Sequence, residues 1–486
     1  MSVSVATMLE KPFINRKEEL EILNNLYDKT KTEAQFFVLY GKRRVGKTEL
    51  IRHFYQDKPH LYYLASKGSA KDQLRTLTEI IAEYFNEPLG RDAFPDWRKL
   101  FDYLGLKLRE RKERLVLVFD EFPYLAEADQ AVASYFQYGW NEQLEKTNVF
   151  LVLMGSSIGM MYKHVLTRNA PLFGRRTGQL LLESFTFNDS KKFYQTDDFE
   201  KLFSFYALLG GMPAYLGEFD DKKTILENIQ EKILARAAFL NLEPEFLLSE
   251  DFNEPGKYLT LLKAIGIGQT RYAELLNATG LGNNELPIYL KTLIDLRLVQ
   301  KEIPVTEPLP EKSKKGNYSL SDNFLRFYFS YVFPNASLVE GKEYAALFEK
   351  NRELLIRLIA KSYEETTIEF IKTAIKEKHL PRFYQLGRWW DKNTEIDLVG
   401  LNEEDNSILF VETKWNDKPI GADVLNSLKQ KAQQVHWGSK GRKETYVLVA
   451  KGGFNGKLIE QASKENVLLI EKDKVNFSTS PNPLRE

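Results

Sequence analysis

Residues 36–48 read FFVLYGKRRVGKT, and the residues after them, TELIRHFY at 48–55, read as a helix. An apolar strand, a loop framed by glycines and a helix follow one another without a break. The loop, Gly41–Thr48, fits the pattern G-x-x-x-x-G-K-[ST] in full. Each position has a physical task. The glycines let the backbone amides of Gly41, Lys42, Arg43, Arg44, Val45 and Gly46 curl round phosphate oxygens. Lys47 reaches the outer phosphates, and the Thr48 hydroxyl is placed to ligate Mg²⁺. The helix that follows points the positive end of its dipole at the same phosphates. ATP with Mg²⁺ is the ligand this stretch predicts.

Working outward, HLYYLA (60–65), RLVLVFDE (114–121) and VFLVLMGSS (149–157) are further apolar runs, and AKDQLRTLTEIIAEYF (70–85) between them is helical. Near-continuous apolar strands alternating with helices predict a doubly wound parallel sheet. The run LVLVFD ends in Asp120 and Glu121, which puts two carboxylates at a buried strand end beside the loop. Asp120 is expected to hold Mg²⁺ through water and Glu121 to polarise the attacking water.

The 486 residues are long enough for about three domains. Lys+Arg and Asp+Glu both number 68, so the formal charge is zero, which argues against a globally basic nucleic-acid binder. There is no cysteine, hence no disulfide and no thiolate metal site. The opening MSVSVATMLEKPF lacks the basic start and apolar core of a signal peptide, and the longest apolar runs are strand-length. A cytoplasmic protein outside the membrane is expected. The expected division is an ATPase core over 1–184, a helical lid over 185–252, a winged helix over 253–318, a helical connector over 319–349 and a further α/β domain over 350–486. Residues 256–316 hold nine Lys/Arg against six Asp/Glu, a modest excess. The candidate recognition helix offers Lys291 and Arg297, with Asn283 and Asn284 at its start. Lys312, Lys314 and Lys315 of the wing could touch phosphate or simply be solvated.

These motifs together resemble the largely archaeal-type P-loop ATPases of the AAA+/STAND group, in which a restriction-endonuclease-like domain follows the ATPase. FINRKEEL (13–20) resembles that family's entry box, with Asn15 where glycine is usual. In LVLMGSSIGMM (151–161) the resemblance implies that Ser156 or Ser157 senses the γ-phosphate. In PLFGRRTGQLLL (171–182) it implies that Arg175, with Arg176 as alternate, is an arginine finger. In GGMPAYL (210–216) it implies that Pro213 packs near the adenine.

Near the other end, TEIDLVGL (394–401) and ILFVETKW (408–415) read as two strands joined by the turn-rich NEEDNS. The alternation of a strand puts Glu412 and Lys414 on one face, and a hairpin would bring Asp397 beside Glu412. Upstream, SYEETTIEFIKTAI is an amphipathic helix carrying Glu364 and Glu365. Helix acid, strand Asp and strand Glu-x-Lys in this order resemble the PD-(D/E)xK nuclease fold. The resemblance implies that Asp397, Glu412 and Glu364 hold Mg²⁺ and that Lys414 activates water or steadies the transition state. Gln430 follows where several relatives place a glutamine.

The expected architecture is therefore an α/β chain: a P-loop NTPase domain with a helical lid, a winged helix and a C-terminal restriction-endonuclease-like α/β domain. The expected function is an ATP-hydrolysing switch controlling a nuclease-like domain that acts on DNA or RNA. The alternative is a switch whose C-terminal domain is a non-catalytic docking module for a protein partner, and a transcription regulator is a third. Self-association is left open.

Overall fold

The structure, a computed structural model, describes residues 13–475 except 253, 314 and 393, and only the backbone of Glu250 and Asp251. The opening segment 1–12 and Lys314 of the expected wing therefore lie outside the described residues. The chain divides into two compact units. One takes the chain up to Phe185 together with Met212–Ala214, and the other takes Thr186–Gly211 and the chain from Tyr215 onward.

The first unit is built on five parallel strands: β1 (Gln35–Tyr40), β2 (His60–Leu64), β3 (Val116–Asp120), β4 (Phe150–Gly155) and β5 (Gly178–Leu181). Their order in the sheet is β2-β3-β4-β1-β5. Every residue of β1, β3 and β4 is buried, which is why these three read as unbroken apolar runs. The edge strand β5 is only half-buried, and its short GQLL carries a correspondingly weak strand signal. The helix Lys47–Tyr55 leaves the C-terminal end of β1 and buries Leu50, Ile51 and Phe54. In an open parallel sheet, ligands sit beyond the carboxyl ends of the strands, where Asp120 and the loop after β1 both lie.

The second unit opens with a single helical turn, Phe187–Ser190, followed by the helix Phe199–Leu209, capped by Asp198, whose side chain accepts from the amides of Glu200 and Lys201. After further short helices that include Ile225–Ile229 and Glu243–Asp251 come the three helices Pro255–Gly266, Tyr272–Thr279 and Leu286–Asp295, and then an antiparallel pair, β6 (Val299–Glu302) and β7 (Asn317–Leu320). The third of these helices begins later than its sequence suggests. Pro287 sits in its first turn, so Asn283 and Asn284 stand in the turn before it.

The remainder of this unit is a six-stranded mixed sheet. Its strands are β8 (Gln385–Asp391), β9 (Thr394–Asn402), β10 (Ser407–Lys414), β11 (Lys443–Ala450), β12 (Leu468–Glu471) and β13 (Lys474–Val475), in the order β13-β12-β11-β10-β9-β8. β8, β9 and β10 pair antiparallel, and β10, β11 and β12 pair parallel. Phe410 and Ile408 pack with Leu425, Leu428, Leu458 and Ala462 of the helices Ala422–Ala432 and Gly456–Glu465. The 25-residue helix Arg352–Lys376 meets β10 at Thr367, whose hydroxyl lies 3.0 Å from that of Thr413. No described helix is long and apolar enough to cross a membrane.

One close approach fixes the loop after β1. A Cβ added to Gly41 would stand 2.4 Å from the carbonyl oxygen of Leu182, whereas one on Gly46 would meet only the Pro213 ring at 3.8 Å. Gly46, at φ 91°, would be strained by its backbone alone. Gly41→Ala is thus expected to destabilise the first unit by about 2–4 kcal/mol, and Gly46→Ala by about 1–2 kcal/mol. Denaturant unfolding of the two variants checks the order, and equal losses would remove the steric explanation for Gly41.

Candidate functional site

Lys47 is only 6% exposed, and its ammonium donates to the carbonyls of Gly41 and Lys42, each at 2.9 Å. Those two bonds require the loop to curl round the side chain. Arg44, at φ 64°, and Gly46 supply the left-handed turns that allow it. Arg43 donates to the Tyr124 hydroxyl at 3.2 Å. The carbonyl of buried Val45 accepts from Arg16 at 3.1 Å. Arg16 also donates to the Glu183 carbonyl at 2.8 Å and lies 4.1 Å over the Phe185 ring. Asn15, at the position where the entry box it resembles has glycine, and Arg16 both take left-handed φ, 56° and 61°. Asparagine is among the few side chains that visit that region readily, so the replacement keeps the turn.

Asp120 ends β3 at 2% exposure. Its Oδ2 accepts from the Thr48 hydroxyl at 3.0 Å and from the Tyr62 hydroxyl at 2.8 Å, and its Oδ1 accepts from the Glu121 amide at 2.9 Å. Three donors thus satisfy a carboxylate that would be costly to bury bare. Glu121 follows at φ 52°, outside the strand. Its Oε2 accepts from the Ser156 hydroxyl at 2.9 Å and from the Ser156 amide at 3.2 Å. The two acids are therefore held from opposite neighbours of β3, Asp120 from β2 and Glu121 from the end of β4. The Thr48 hydroxyl and the Asp120 carboxylate are the hard oxygen donors that Mg²⁺ takes. Pro213 lies against the loop at Gly46. Arg175 folds back on its own loop, donating to the Phe173 carbonyl at 2.9 Å, and the Arg176 guanidinium lies 5.4 Å over the Phe173 ring. Tyr62 carried no signal in the sequence, because its contact with Asp120 arises from sheet order.

In the second unit, Asp397 on β9 and Glu412 on β10 are 8% and 6% exposed. The ladder pairs Val411 with Leu398, which brings the two acids to adjoining positions. Asp397 accepts from the Thr413 amide at 2.8 Å. Glu412 accepts from Lys414 at 2.8 Å and, on both oxygens, from Lys431 at 2.9 Å. Lys431 escaped sequence reading. It stands three residues after buried Leu428 on the helix Ala422–Ala432, a spacing that turns it toward the sheet, while its neighbour Gln430 is exposed. Glu364 pairs with Lys361 at 3.0 Å, and Glu365 with Arg326 at 2.7 Å.

Burial, then the negative charges of Glu364 and Glu412, push the Asp397 carboxyl up to about 7. Burial alone would lower Lys414, but its bond to Glu412 and the surrounding carboxylates outweigh it and hold the ammonium above its usual range. Among the described residues, no three His, Cys, Asp or Glu side chains gather closely enough to hold a metal ion. Glu364, Asp397 and Glu412 have the oxygen chemistry for Mg²⁺, but Lys431 takes up both oxygens of Glu412.

Comparison with known proteins agrees with the first of these sites. Residues 13–219 match the ATPase domain family described as predominantly from Archaea, and residues 328–434 match a family of archaeal and bacterial proteins of unknown function. An uncharacterized protein of Methanocaldococcus jannaschii is 36% identical over 406 residues, which span 83% of this chain and 88% of the relative. A short ATP-binding protein of the same organism is 52% identical over 46 residues, 10% of this chain and 75% of that one. Among solved structures, a Walker-type ATPase of Pyrococcus abyssi is similar at 19% identity and a TM-score of 0.49, over 65% of this chain and 96% of that one. The long match to the M. jannaschii protein places the chain in that protein's family, and the chain is an ATP-binding ATPase whose domain is of the predominantly archaeal type.

Proposed function

We propose that the chain is an ATP-hydrolysing switch whose nucleotide state governs a C-terminal domain of the restriction-endonuclease-like kind. The observation that carries the first half is the bonded series Thr48, Asp120, Glu121 and Ser156 beside the curled loop. In this reading the loop amides and Lys47 bind the phosphates, Thr48 and Asp120 hold Mg²⁺, and Glu121 orients the attacking water. The metal would neutralise charge on the phosphates. Ser156, bonded to Glu121, would sense the outer phosphate by exchanging that bond for one to it. Pro213, against the loop, would border the nucleotide, and Arg175 would act on a second copy of the chain.

The reading of the C-terminal domain is supported by the meeting of Asp397, Glu412 and Lys414 on adjoining strands, with Glu364 near enough to raise the Asp397 carboxyl. Asp397 and Glu412 would hold the metal, and Lys414 would face the scissile phosphate of DNA or RNA. A second reading, a non-catalytic docking module, is favoured by Lys431, which occupies both oxygens of Glu412. The three helices and the β6–β7 hairpin support a winged helix. The outer face of its third helix carries Pro287, Ile288, the latter 64% exposed, and a single basic residue, Lys291, which suits protein contact better than base reading.

Lys47→Ala is expected to abolish ATP binding, because its ammonium is the charge aimed at the outer phosphates. Glu121→Gln should bind ATP as tightly as the parent while kcat falls by about 10²-fold or more. Equilibrium binding and steady-state turnover of both variants decide, and wild-type turnover by Glu121→Gln would remove that residue from the reaction.

For the C-terminal domain, full-length protein is incubated with single- and double-stranded DNA and RNA, Mn²⁺ and ATP, beside Asp397→Ala and Lys414→Ala. Cleavage lost in both variants supports the nuclease reading. Absence of cleavage together with no Mn²⁺ bound at Asp397 favours the docking module.

A pH experiment tests the Asp397 environment independently. Its folded carboxyl titrates near 7 against an ordinary value of 3.8, so the folded chain holds a proton there that the unfolded chain has released. Stability from this group is present below about pH 4 and is lost as pH rises through about 7. Relative to wild type in EDTA, Asp397→Asn is expected to gain about 2–3 kcal/mol on going from pH 5 to pH 8. Parallel stability curves for the two proteins would contradict it.

A further inference from the structure

We propose that Tyr62 is a positioning residue for ATP hydrolysis: its hydroxyl fixes the Asp120 carboxylate in the orientation that serves the metal of Mg²⁺–ATP. The inference rests on the reading of Asp120 as the metal-holding acid.

A carboxylate at the end of a strand turns readily about its last torsion, whose preference is broad and roughly two-fold. The Glu121 amide holds Oδ1 from the chain itself, and the Thr48 hydroxyl reaches Oδ2. Thr48 is itself a candidate ligand of the ion: an oxygen lone pair would face the metal while its O–H still donates to Oδ2, so that tether depends on where the ion sits. Tyr62 supplies a tether that does not, because its hydroxyl donates to Oδ2 from outside the coordination group.

The geometry of the sheet makes the contact possible. β2 pairs with β3 so that Tyr62 lies opposite Val118, and Leu64 lies opposite Asp120. Side chains alternate along a strand, so Tyr62 and Asp120 share a face on the diagonal, at a distance only a long side chain spans. The ring is held there by the helix that begins in the phosphate loop. Tyr55 packs against it with centroids 6.0 Å apart, and the Arg52 guanidinium lies 5.7 Å over it. Burial, the Asp120 charge and the hydrogen bond together raise the phenol's pKa, so the hydroxyl is a donor throughout the neutral range. The same helix begins with Lys47 and Thr48. Tyr62 thus ties the acid of β3 to the helix that carries the lysine and the hydroxyl.

Tyr62→Phe removes one hydroxyl and keeps the ring, so the packing survives. In the full chain, ATP affinity with and without Mg²⁺, the Mg²⁺ concentration giving half-maximal turnover, kcat, KM and the thermal midpoint are measured, with Asp120→Asn alongside. The expected result is kcat lowered about tenfold, half-saturating Mg²⁺ raised about three- to tenfold, and affinity for ATP in EDTA unchanged. A purely structural hydroxyl would lower the thermal midpoint and leave both the Mg²⁺ requirement and the Mg²⁺-dependent gain in ATP affinity unmoved, and that outcome overturns the proposal. If Asp120→Asn shifts the Mg²⁺ requirement and Tyr62→Phe does not, only the role of Tyr62 fails. If Asp120→Asn leaves the requirement unchanged, the reading of Asp120 fails and takes this inference with it.

Discussion

An ammonium group buried at the end of an apolar sheet must find acceptors, and much of the first unit is arranged round that requirement. Lys47 finds them in the carbonyls of Gly41 and Lys42. To aim two consecutive carbonyls at one point the backbone must turn tightly, which needs the left-handed residues Arg44 and Gly46. It must also pass so close to Leu182 that position 41 has no room for a side chain. The tightness of the loop brings Val45 within reach of Arg16, and Arg16 in turn gathers the chain near Glu183 and Phe185. The phosphate-binding shape is thus held by the protein's own hydrogen bonds. A ligand would enter a form already made, which lowers the ordering cost of binding.

The two acidic clusters are stabilised by different means. Asp120 is surrounded by neutral donors, two hydroxyls and an amide, which accept a carboxylate without cancelling its charge. Glu412 instead faces two ammonium groups, and the paired Asp397 is pushed toward its neutral form. The first arrangement leaves the carboxylate's negative charge uncancelled, as the proposed Mg²⁺ site would need. The second has largely neutralised itself. A cation arriving at Glu412 must displace Lys431, which donates to both of its oxygens.

The sequence made the phosphate loop and the Asp120–Glu121 pair legible because both are runs of adjacent residues whose chemistry and local structure coincide. Asp397, Glu412 and Lys414 were legible as a group because a hairpin's register follows from strand alternation and a short turn. What escaped depended on packing between distant segments. Tyr62 meets Asp120 only because β2 lies beside β3 in the order β2-β3-β4-β1-β5, which no local pattern states. Lys431 has no local signal: Gln430 is named only through the family resemblance, and one residue's rotation along the helix decides that Lys431 reaches Glu412 while Gln430 is exposed. The edge strands β5 and β8 were faint since half-exposed strands mix polar and apolar residues and interrupt the apolar signal.

Glu121 stands in the left-handed region at φ 52°, a conformation that disfavours a side chain of its size by about 1 kcal/mol. Glycine or asparagine would rest there more comfortably, and either would discard the carboxylate that Ser156 grips. On the reading that Glu121 orients the attacking water, the fold accepts that local cost in exchange for a carboxylate at this point. A substitution that relaxed this backbone would therefore be expected to raise stability and lower turnover together.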